Sequence, residues 1–201
     1  MKSYRAIGLM SGSSLDGLDI AYVEFSLTKE LIDYKLMKTG YVPFPQKWKL
    51  RLDNLVLQNA VTYLKTHHYF GHYIGGLVKD FIESEGLEDE LDFIVSHGQT
   101  IFHQPENMFT SQIGDGAAIA AVTGFPVICD VRSTDVALGG EGTPIAPVAD
   151  KYLFRDHAFC LNLGGFANIS FKKADGAVIG FDICAVNLIL NKLANEAGLE
   201  Y

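Results

Sequence analysis

The 201-residue sequence is poor in basic residues, with 16 lysines and arginines against 24 aspartates and glutamates and a formal net charge of −8. The lysines and arginines do not gather into a cluster anywhere along the chain. Proteins that bind nucleic acid or anionic membrane surfaces usually carry such a cluster. We therefore expect neither nucleic acid nor a membrane among the partners.

The sequence also lacks a long apolar run. Its most apolar stretch, residues 117–128, is interrupted by Thr123, Gly124 and Pro126 and is too short to cross a bilayer. The opening residues MKSYRAIGLM do not contain an apolar segment followed by a cleavage site, so no signal peptide is predicted. We expect a soluble, cytoplasmic protein.

Cysteine is scarce as well. Cys129, Cys160 and Cys184 are odd in number, far apart and set in apolar or strand-like segments. This spacing argues against a disulfide framework and against a cysteine-rich metal knuckle. We expect buried thiols in a reducing compartment.

Apolar patterning predicts an α/β fold with a sheet of mixed direction. Residues 4–10, 19–25 and 31–43 resemble three antiparallel strands, and an apolar stripe predicts a helix over residues 61–84. Shorter elements are predicted in the order of a helix opening at Pro45, a strand ending at 96–98, a helix over 117–122, a strand over 127–129, a loop over 130–144, a helix over about 147–154 and a helix over about 185–197.

Two hairpins with glycine-rich turns, in residues 7–25 and 159–173, resemble each other in outline. Such a repeat predicts two related halves, a first domain over residues 1–155 and an incomplete second domain over residues 156–201. A lone second hairpin could equally be an added edge of one domain.

The turn of the first hairpin consists almost entirely of small and acidic residues. Its N–H groups and hydroxyls suit phosphate oxygens, although it follows neither the Walker pattern nor GxGxxG. Carboxylates beside phosphate require a cation such as Mg²⁺ between them, so Asp16 and Asp19 are candidate metal ligands. A decorated surface hairpin is the alternative.

Two further segments carry polar candidates. SHGQTIFHQP, residues 96–105, ends a predicted strand, which is where α/β proteins often bind ligands. DVRSTDVALGGEGTPIAP, residues 130–147, is rich in glycine, which lets backbone approach a ligand closely. Capped or flexible loops are the alternatives for both segments.

Asp182 follows an apolar segment beside the second hairpin, a position that suits a general base or the cap of the next helix. His68 and His72 have a spacing compatible with zinc, but HExxH is absent and His67 belongs to the apolar stripe. We expect no metal at these histidines.

Taken in order, GLMSGSSLDGLD, SHGQTIFHQP, QIGDGAAIAAVTGFPVICDVRSTDVALGGEGTPIAP, LNLGGFANIS and GFD resemble the anhydro-N-acetylmuramic acid kinases, of the superfamily that includes sugar kinases and actin. The resemblance implies an actin-like, RNase H-like fold with ATP in a cleft, the first domain complete and the second truncated. It also implies that water opens the 1,6-anhydro ring while O6 takes the γ-phosphoryl, giving N-acetylmuramic acid 6-phosphate in peptidoglycan recycling.

The resemblance assigns roles by position. It implies that Asp182 activates the water and that Asp16 or Asp19 contacts Mg²⁺, since Met10 stands where the superfamily usually has aspartate. The implied ATP-binding residues are Gly12, Ser13, Ser14, Leu15, Asp16, Gly17, Leu18, Asp19, Gly164 and Gly165. The implied sugar-binding residues are His97, Gln99, Thr100, Arg132, Glu141, Gly142, Thr143 and Pro144.

The sequence departs from the family pattern GFD[TC]GPGN, which reads GFDICAVN here and loses two glycines. This turn and the short chain predict that the fragment alone is inactive, with a non-catalytic sugar- or partner-binding module as the alternative. A hydrolase using His97 with Asp115, Asp130 and Asp135 is a weaker third hypothesis. Apolar residues that lack a partner domain, among them Leu188 and Leu190, predict a homodimer.

Overall fold

The structure is a computed structural model that describes residues 2–12, 14–29, 31–142 and 145–199. Three predicted site residues, Ser13, Thr143 and Pro144, lie outside these ranges. Contacts divide the chain into two compact units, Met1–Gly142 and Thr143–Tyr201. This division falls before the predicted domain boundary at residue 155, and the domain assignment itself stays a prediction.

The first unit contains strands β1 to β6 and helices α1 to α4. Their bounds are β1 Lys2–Ser11, β2 Gly17–Leu27, β3 Ile32–Pro43, α1 Gln46–Asp53, α2 Ala60–Glu85, β4 Phe93–Gln104, β5 Phe109–Ile113, α3 Gly116–Thr123, β6 Val127–Ile128 and α4 Ser133–Ala137. Single turns of 3-10 helix occupy Leu55–Leu57 and Pro105–Asn107.

These strands form one sheet in the order β3-β2-β1-β4-β5. The first three strands are antiparallel neighbours, and β4 runs parallel to β1. The first half of β4 pairs in parallel with β6, and its second half pairs with β5 in an antiparallel hairpin. The mixed sheet confirms the predicted fold class, an actin-like α/β fold.

Helix α2 supplies one side of the core. Of its predicted apolar stripe, Phe70 and Ile74 are fully shielded from solvent, whereas Tyr63, His67, Leu77 and Phe81 are only partly buried. Val78, which was not part of the prediction, is fully shielded as well. Each such side chain stabilises the fold by roughly 1.5–3 kcal/mol relative to an exposed one. The helix begins where the Asn59 side chain accepts the Thr62 N–H at 3.0 Å.

Close packing of α2 against α3 depends on glycine. A Cβ atom at Gly71 would lie 2.6 Å from the Asp115 carbonyl oxygen, and one at Gly75 would lie 2.9 Å from Cβ of Val122. Contacts this short do not occur between such atoms, so both positions require a residue without a side chain. Gly76 lies on the same helix, but no described atom lies within 4 Å of a Cβ placed there.

The second unit contains helix α5 and a three-stranded antiparallel sheet followed by a helix. The bounds are α5 Ile145–Tyr152, β7 Phe159–Leu163, β8 Phe166–Lys172, β9 Val178–Ala185 and α6 Asn187–Glu196. The strand order is β7-β8-β9, and Gly180 of β9 lies against Pro147 of α5. Among the helices that the structure describes, none has the length and apolarity needed to span a membrane.

Several predicted elements differ from the observed ones. The strand predicted to end at 96–98 continues to Gln104, because Gly98 adopts a φ of +75° and lets β4 pass from its first partners to β5. Strand β5 was not predicted, and the predicted loop over 130–144 contains α4. The prediction of buried thiols was wrong, since Cys129 and Cys184 are exposed and Cys160 is only partly covered.

The glycine packing of α2 yields a stability prediction. We expect Gly71→Ala to lower the free energy of unfolding by about 1–3 kcal/mol, because the new methyl meets fixed backbone. We expect Gly76→Ala to raise it by up to about 1 kcal/mol through helix propensity. Urea denaturation measures both changes. Equal effects of the two substitutions would contradict the close approach at Gly71.

Candidate functional site

The turn between β1 and β2 is held by its own polar groups. Asp16 Oδ1 accepts the Ser14 hydroxyl at 2.7 Å and the Gly17 N–H at 3.0 Å, and the Leu15 N–H donates to the Gly12 carbonyl at 3.1 Å. Leu15 adopts a φ of +56°, which is unusual for a branched side chain. Ser14 and Gly17 are therefore both tied to the Asp16 carboxylate.

Asp19 lies close enough to Asp16 for the two carboxylates to interact. Loss of solvent, followed by the negative charge of Asp16, raises the pKa of Asp19. Two oxygen-bearing acids that repel each other form the kind of donor set that suits Mg²⁺. The carboxylates of Asp16 and Asp19 are therefore of the chemical type that binds this ion, and the Mg²⁺ site itself stays a prediction. Leu18, by contrast, is a core residue with its side chain 1% exposed, so only its backbone is available to a ligand.

A buried hydrogen bond joins the end of β1 to the middle of β4. The Ser11 hydroxyl donates to Gln99 Oε1 at 2.5 Å, and both residues are almost fully buried. The predicted phosphate-binding turn and the predicted sugar-binding segment thus lie on neighbouring strands of the same sheet. Gln99 pairs with the core residue Ile113, whereas Thr100 pairs with Gln112, so Gln99 and Thr100 lie on opposite faces. We call Thr100, Thr110, Gln112 and Arg132 the polar cluster.

Thr110 sets the orientation of its neighbours in the polar cluster. Its hydroxyl donates to the Phe102 carbonyl at 3.3 Å, so its oxygen accepts from Gln112 Nε2 at 2.8 Å and from His103 Nδ1 at 3.2 Å. Because a hydroxyl has a single proton, the amide of Gln112 and the tautomer of His103 are both determined by this network.

Arg132 reaches the same network from the loop after β6. Its terminal nitrogen donates to Thr100 Oγ1 at 3.4 Å, and burial lowers the pKa of the guanidinium. Arg132 Nε and Gln112 Oε1 are buried without a hydrogen-bond partner among the residues described. Unpaired buried groups cost about 1–3 kcal/mol each, so they indicate a network that is completed by a further polar partner.

His97 lies on β4 next to the bend at Gly98. Its Nδ1 lies 2.9 Å from the Gly98 carbonyl oxygen, and since a carbonyl can only accept, Nδ1 carries the proton. Burial lowers the pKa of His97, the Gly98 carbonyl raises it in part, and the positive charge of Arg132 lowers it further. The imidazole is therefore neutral at neutral pH, with Nε2 as its accepting nitrogen.

The loop after α4 carries the remaining predicted sugar-binding residues of this unit. Glu141 is exposed, whereas Gly142 is buried and adopts a φ of +67°. The Gly142 N–H donates to Asp135 Oδ2 at 2.7 Å, which ties the end of the loop to α4. The three acids of the hydrolase hypothesis have other roles, since Asp115 caps α3, Asp130 accepts the Ser133 hydroxyl and Asp135 holds this loop.

In the second unit, the turn at Gly164 and Gly165 is tied to the start of α6. The Val186 N–H donates to the Gly165 carbonyl at 2.9 Å, and the Asn187 N–H donates to the Gly164 carbonyl at 3.2 Å. The altered turn at 184–186 therefore still holds the glycine pair through backbone contacts.

Asp182 lies within β9, opposite Asn168 of β8, and its side chain is exposed. Helix α6 begins after Val186 and has no side-chain hydrogen bond at its N-terminal cap. The alternative that Asp182 caps this helix was therefore wrong. The carboxylate is accessible to a ligand of this unit.

His67, His68 and Asp115 place potential metal-ligating atoms within 4.8 Å of one another. His68 Nδ1 lies 2.6 Å from Asp115 Oδ2, and His67 Nδ1 accepts the Gly114 N–H at 3.2 Å. A neutral His67 that accepts at Nδ1 carries its proton on Nε2. A metal ion at His67 would have to displace either the Gly114 N–H from Nδ1 or the proton from Nε2. The positions of these three side chains therefore favour a structural role.

Comparison with known proteins identifies the family. A family model described as anhydro-N-acetylmuramic acid kinase matches residues 4–201. The chain belongs to the anhydro-N-acetylmuramic acid kinase family.

Curated members of the family are similar over nearly the whole chain. The anhydro-N-acetylmuramic acid kinase of Vibrio cholerae is 38% identical over 194 residues, covering 92% of this chain and 51% of the relative. Those of Mannheimia succiniciproducens and Haemophilus influenzae are 37% and 35% identical and cover 95% and 100% of this chain. The chain spans about half the length of the curated relatives it matches.

Sequence reasoning missed Ser11 and two members of the polar cluster, Thr110 and Gln112. The alternation in FTSQI places Thr110 and Gln112 two residues apart, and hence on one face of β5, which was the available signal. This signal was not used because the five-residue strand was not predicted. The polar face of β5 lies next to Thr100, one of the predicted sugar-binding residues.

The neutral His97 yields a pH prediction. The pKa of His97 in the folded chain lies below its value of about 6.5 in the unfolded chain. Between these two pKa values the unfolded chain binds more protons than the folded chain. The free energy of unfolding therefore decreases as the pH falls below about 6.5. We expect His97→Asn, which keeps a donor toward Gly98, to lose less stability on acidification than the wild type. Urea midpoints at pH 7.5 and 5.0 measure the difference.

Acidification should still lower the free energy of unfolding of His97→Asn to some extent, because burial also lowers the pKa of His67. An identical acid-induced shift in the urea midpoint of both proteins would contradict a neutral, buried His97.

Proposed function

We propose that this chain forms the phosphate- and sugar-binding part of an anhydro-N-acetylmuramic acid kinase. The activity is the conversion of 1,6-anhydro-N-acetylmuramic acid, ATP and water to N-acetylmuramic acid 6-phosphate and ADP during peptidoglycan recycling. The hydrogen bond between Ser11 and Gln99 is the observation that carries this proposal, since it fixes the start of the turn at 12–19 against β4, the strand that carries Thr100 of the polar cluster. Residues 1–155 correspond to a first actin-like domain and residues 156–201 to the beginning of a second.

The proposed phosphate-binding segments are the turn at 12–19 of the first unit and the Gly164–Gly165 pair of the second, in keeping with a chemistry that needs positioning and charge neutralisation. Asp16 and Asp19 would hold Mg²⁺, which would neutralise phosphate charge when bound. A cation beside Asp19 would oppose the two causes that raise its pKa, loss of solvent and the charge of Asp16.

The proposed sugar site is the polar cluster together with His97 and the loop at 141–144. Arg132 supplies a fixed positive charge for the carboxylate of the sugar, and its unpaired Nε is a further donor. Gln99 and Thr100 form the part of the site that lies on β4. Neutral His97 accepts a hydrogen bond from a sugar hydroxyl at Nε2. Glu141 extends from the loop as an exposed carboxylate.

Asp182 is the proposed general base. It takes a proton from water as the water oxygen forms a bond to the anomeric carbon. The bond from that carbon to O6 breaks, and O6 takes the γ-phosphoryl as ADP leaves. Asp182 offers an accessible carboxylate on β9, next to the shift in its pairing with β8, and such a carboxylate can hold a water molecule for this step.

A coupled ADP-release assay tests the proposed function. We expect this chain alone to be inactive, and the chain joined to the C-terminal half of the Vibrio cholerae relative to turn over ATP with the anhydro sugar. In the joined protein, Asp182→Asn should lower kcat about 10²–10⁴-fold, the usual contribution of a general base.

Asp175→Asn is the matched control, because Asp175 is an exposed aspartate of the same unit that only accepts the Ala177 N–H. Its kcat should stay at the wild-type level. A joined protein that binds the sugar but does not turn over ATP would instead support the non-catalytic binding module.

Self-association is a separate proposal for the isolated chain. The second unit exposes large apolar side chains, with Phe159 67% and Leu190 55% exposed. Apolar surface of this kind favours a homodimer. Light scattering coupled to size exclusion should give twice the chain mass of 22.1 kDa, and Leu190→Glu should shift it toward the monomer. A monomer at all concentrations would contradict the proposal.

A further inference from the structure

The loop that carries Glu141 turns back toward the helix that precedes it. Helix α4 ends at Ala137, and residues 138–142 reverse direction so that Gly140 and Gly142 both return to Asp135. Within the described residues, the structure records no ion pair for Glu141, which is exposed. The position of Glu141 therefore depends on its backbone neighbours.

Asp135 contacts that backbone at two points. Its side-chain Oδ2 accepts the Gly142 N–H at 2.7 Å, and its main-chain carbonyl accepts the Gly140 N–H at 2.8 Å. These bonds flank Glu141 on both sides along the chain. A carboxylate acceptor makes the Gly142 bond stronger than a neutral one would be.

The two glycines leave room for the carboxylate and the helix. A Cβ atom at Gly140 would lie 2.2 Å from Asp135 Oδ2, so any side chain there displaces the carboxylate. A Cβ atom at Gly142 would lie 2.6 Å from Cγ2 of Val136, which is buried. The space beside the two glycines is therefore occupied by the Asp135 carboxylate and the Val136 side chain.

Gly142 also places the loop beside the polar cluster. A Cβ atom there would lie 3.5 Å from Cε1 of His103, whose Nδ1 lies 3.2 Å from Thr110 Oγ1. The end of the loop held by Asp135 therefore lies near His103, a residue bonded to Thr110 of the polar cluster. A shift of Gly142 would move Glu141 relative to that site.

We propose that Asp135 is a positioning residue that holds Glu141 at the sugar site by accepting the Gly142 N–H. The proposal rests on the proposed function, because Glu141 matters only if the polar cluster binds the sugar. In this role Asp135 acts on the sugar site only through the loop.

The test compares Asp135→Ala and Asp135→Asn in the joined protein. Loss of one charge-assisted hydrogen bond at the loop should raise the KM for the anhydro sugar about 10- to 100-fold and leave the KM for ATP unchanged. Asparagine keeps an accepting oxygen, so Asp135→Asn should stay within a few-fold of the wild type. Thr134→Ala is the control, because Thr134 has an exposed side chain on the same helix.

A second readout uses this chain by itself and needs no activity. Asp135→Ala should accelerate hydrogen exchange of the Gly142 amide, measured by NMR, while core amides such as that of Ile94 keep their protection. Loss of protection throughout the chain would show that Asp135 serves general stability only, and would overturn the proposal.

The outcomes separate the two proposals. An active wild-type protein in which Asp135→Ala behaves like Thr134→Ala, or in which the KM values of both substrates rise together, overturns the role of Asp135 alone. A wild-type joined protein that neither turns over ATP nor binds the sugar overturns the proposed function, and the role of Asp135 in sugar binding with it.

Discussion

The hydrogen bond between Ser11 and Gln99 is the interaction on which the candidate site depends. It lies between β1 and β4, where both residues are almost fully buried, so each polar group needs the other. The bond fixes the start of the turn at 12–19 relative to β4, the strand that carries Thr100 of the polar cluster. In the proposed function, this bond would relate the phosphate-binding turn to the sugar-binding residues.

Gly98 makes this arrangement possible. Its positive φ and the change of register between β1 and β4 let β4 pair with two further strands besides β1. The first half of β4 pairs with β6 and the second half with β5. A Cβ atom at Gly98 would lie 2.6 Å from the Ile113 carbonyl oxygen, so a larger residue would separate β4 from β5. The polar cluster would then lose Thr110 and Gln112.

Elements with strong periodicity could be predicted from the sequence, and elements defined by long-range pairing could not. The stripe on α2 and the strands β1 to β3 follow directly from local pattern. Strand β5 has only five residues and exists through its pairing with β4, so nothing local marks it. Likewise Asp182 was predicted to follow an apolar strand, whereas β9 continues past it to Ala185 through its pairing with β8.

The central claim is that the polar cluster binds the anhydro sugar, and an NMR titration of this chain tests it most directly. Adding 1,6-anhydro-N-acetylmuramic acid should shift the amide signals of Gln99, Thr100 and Gln112 together, and Ser11→Ala should weaken the binding that produces these shifts. Shifts confined to the surface of α1 and α2, or the same affinity in Ser11→Ala, would contradict the account.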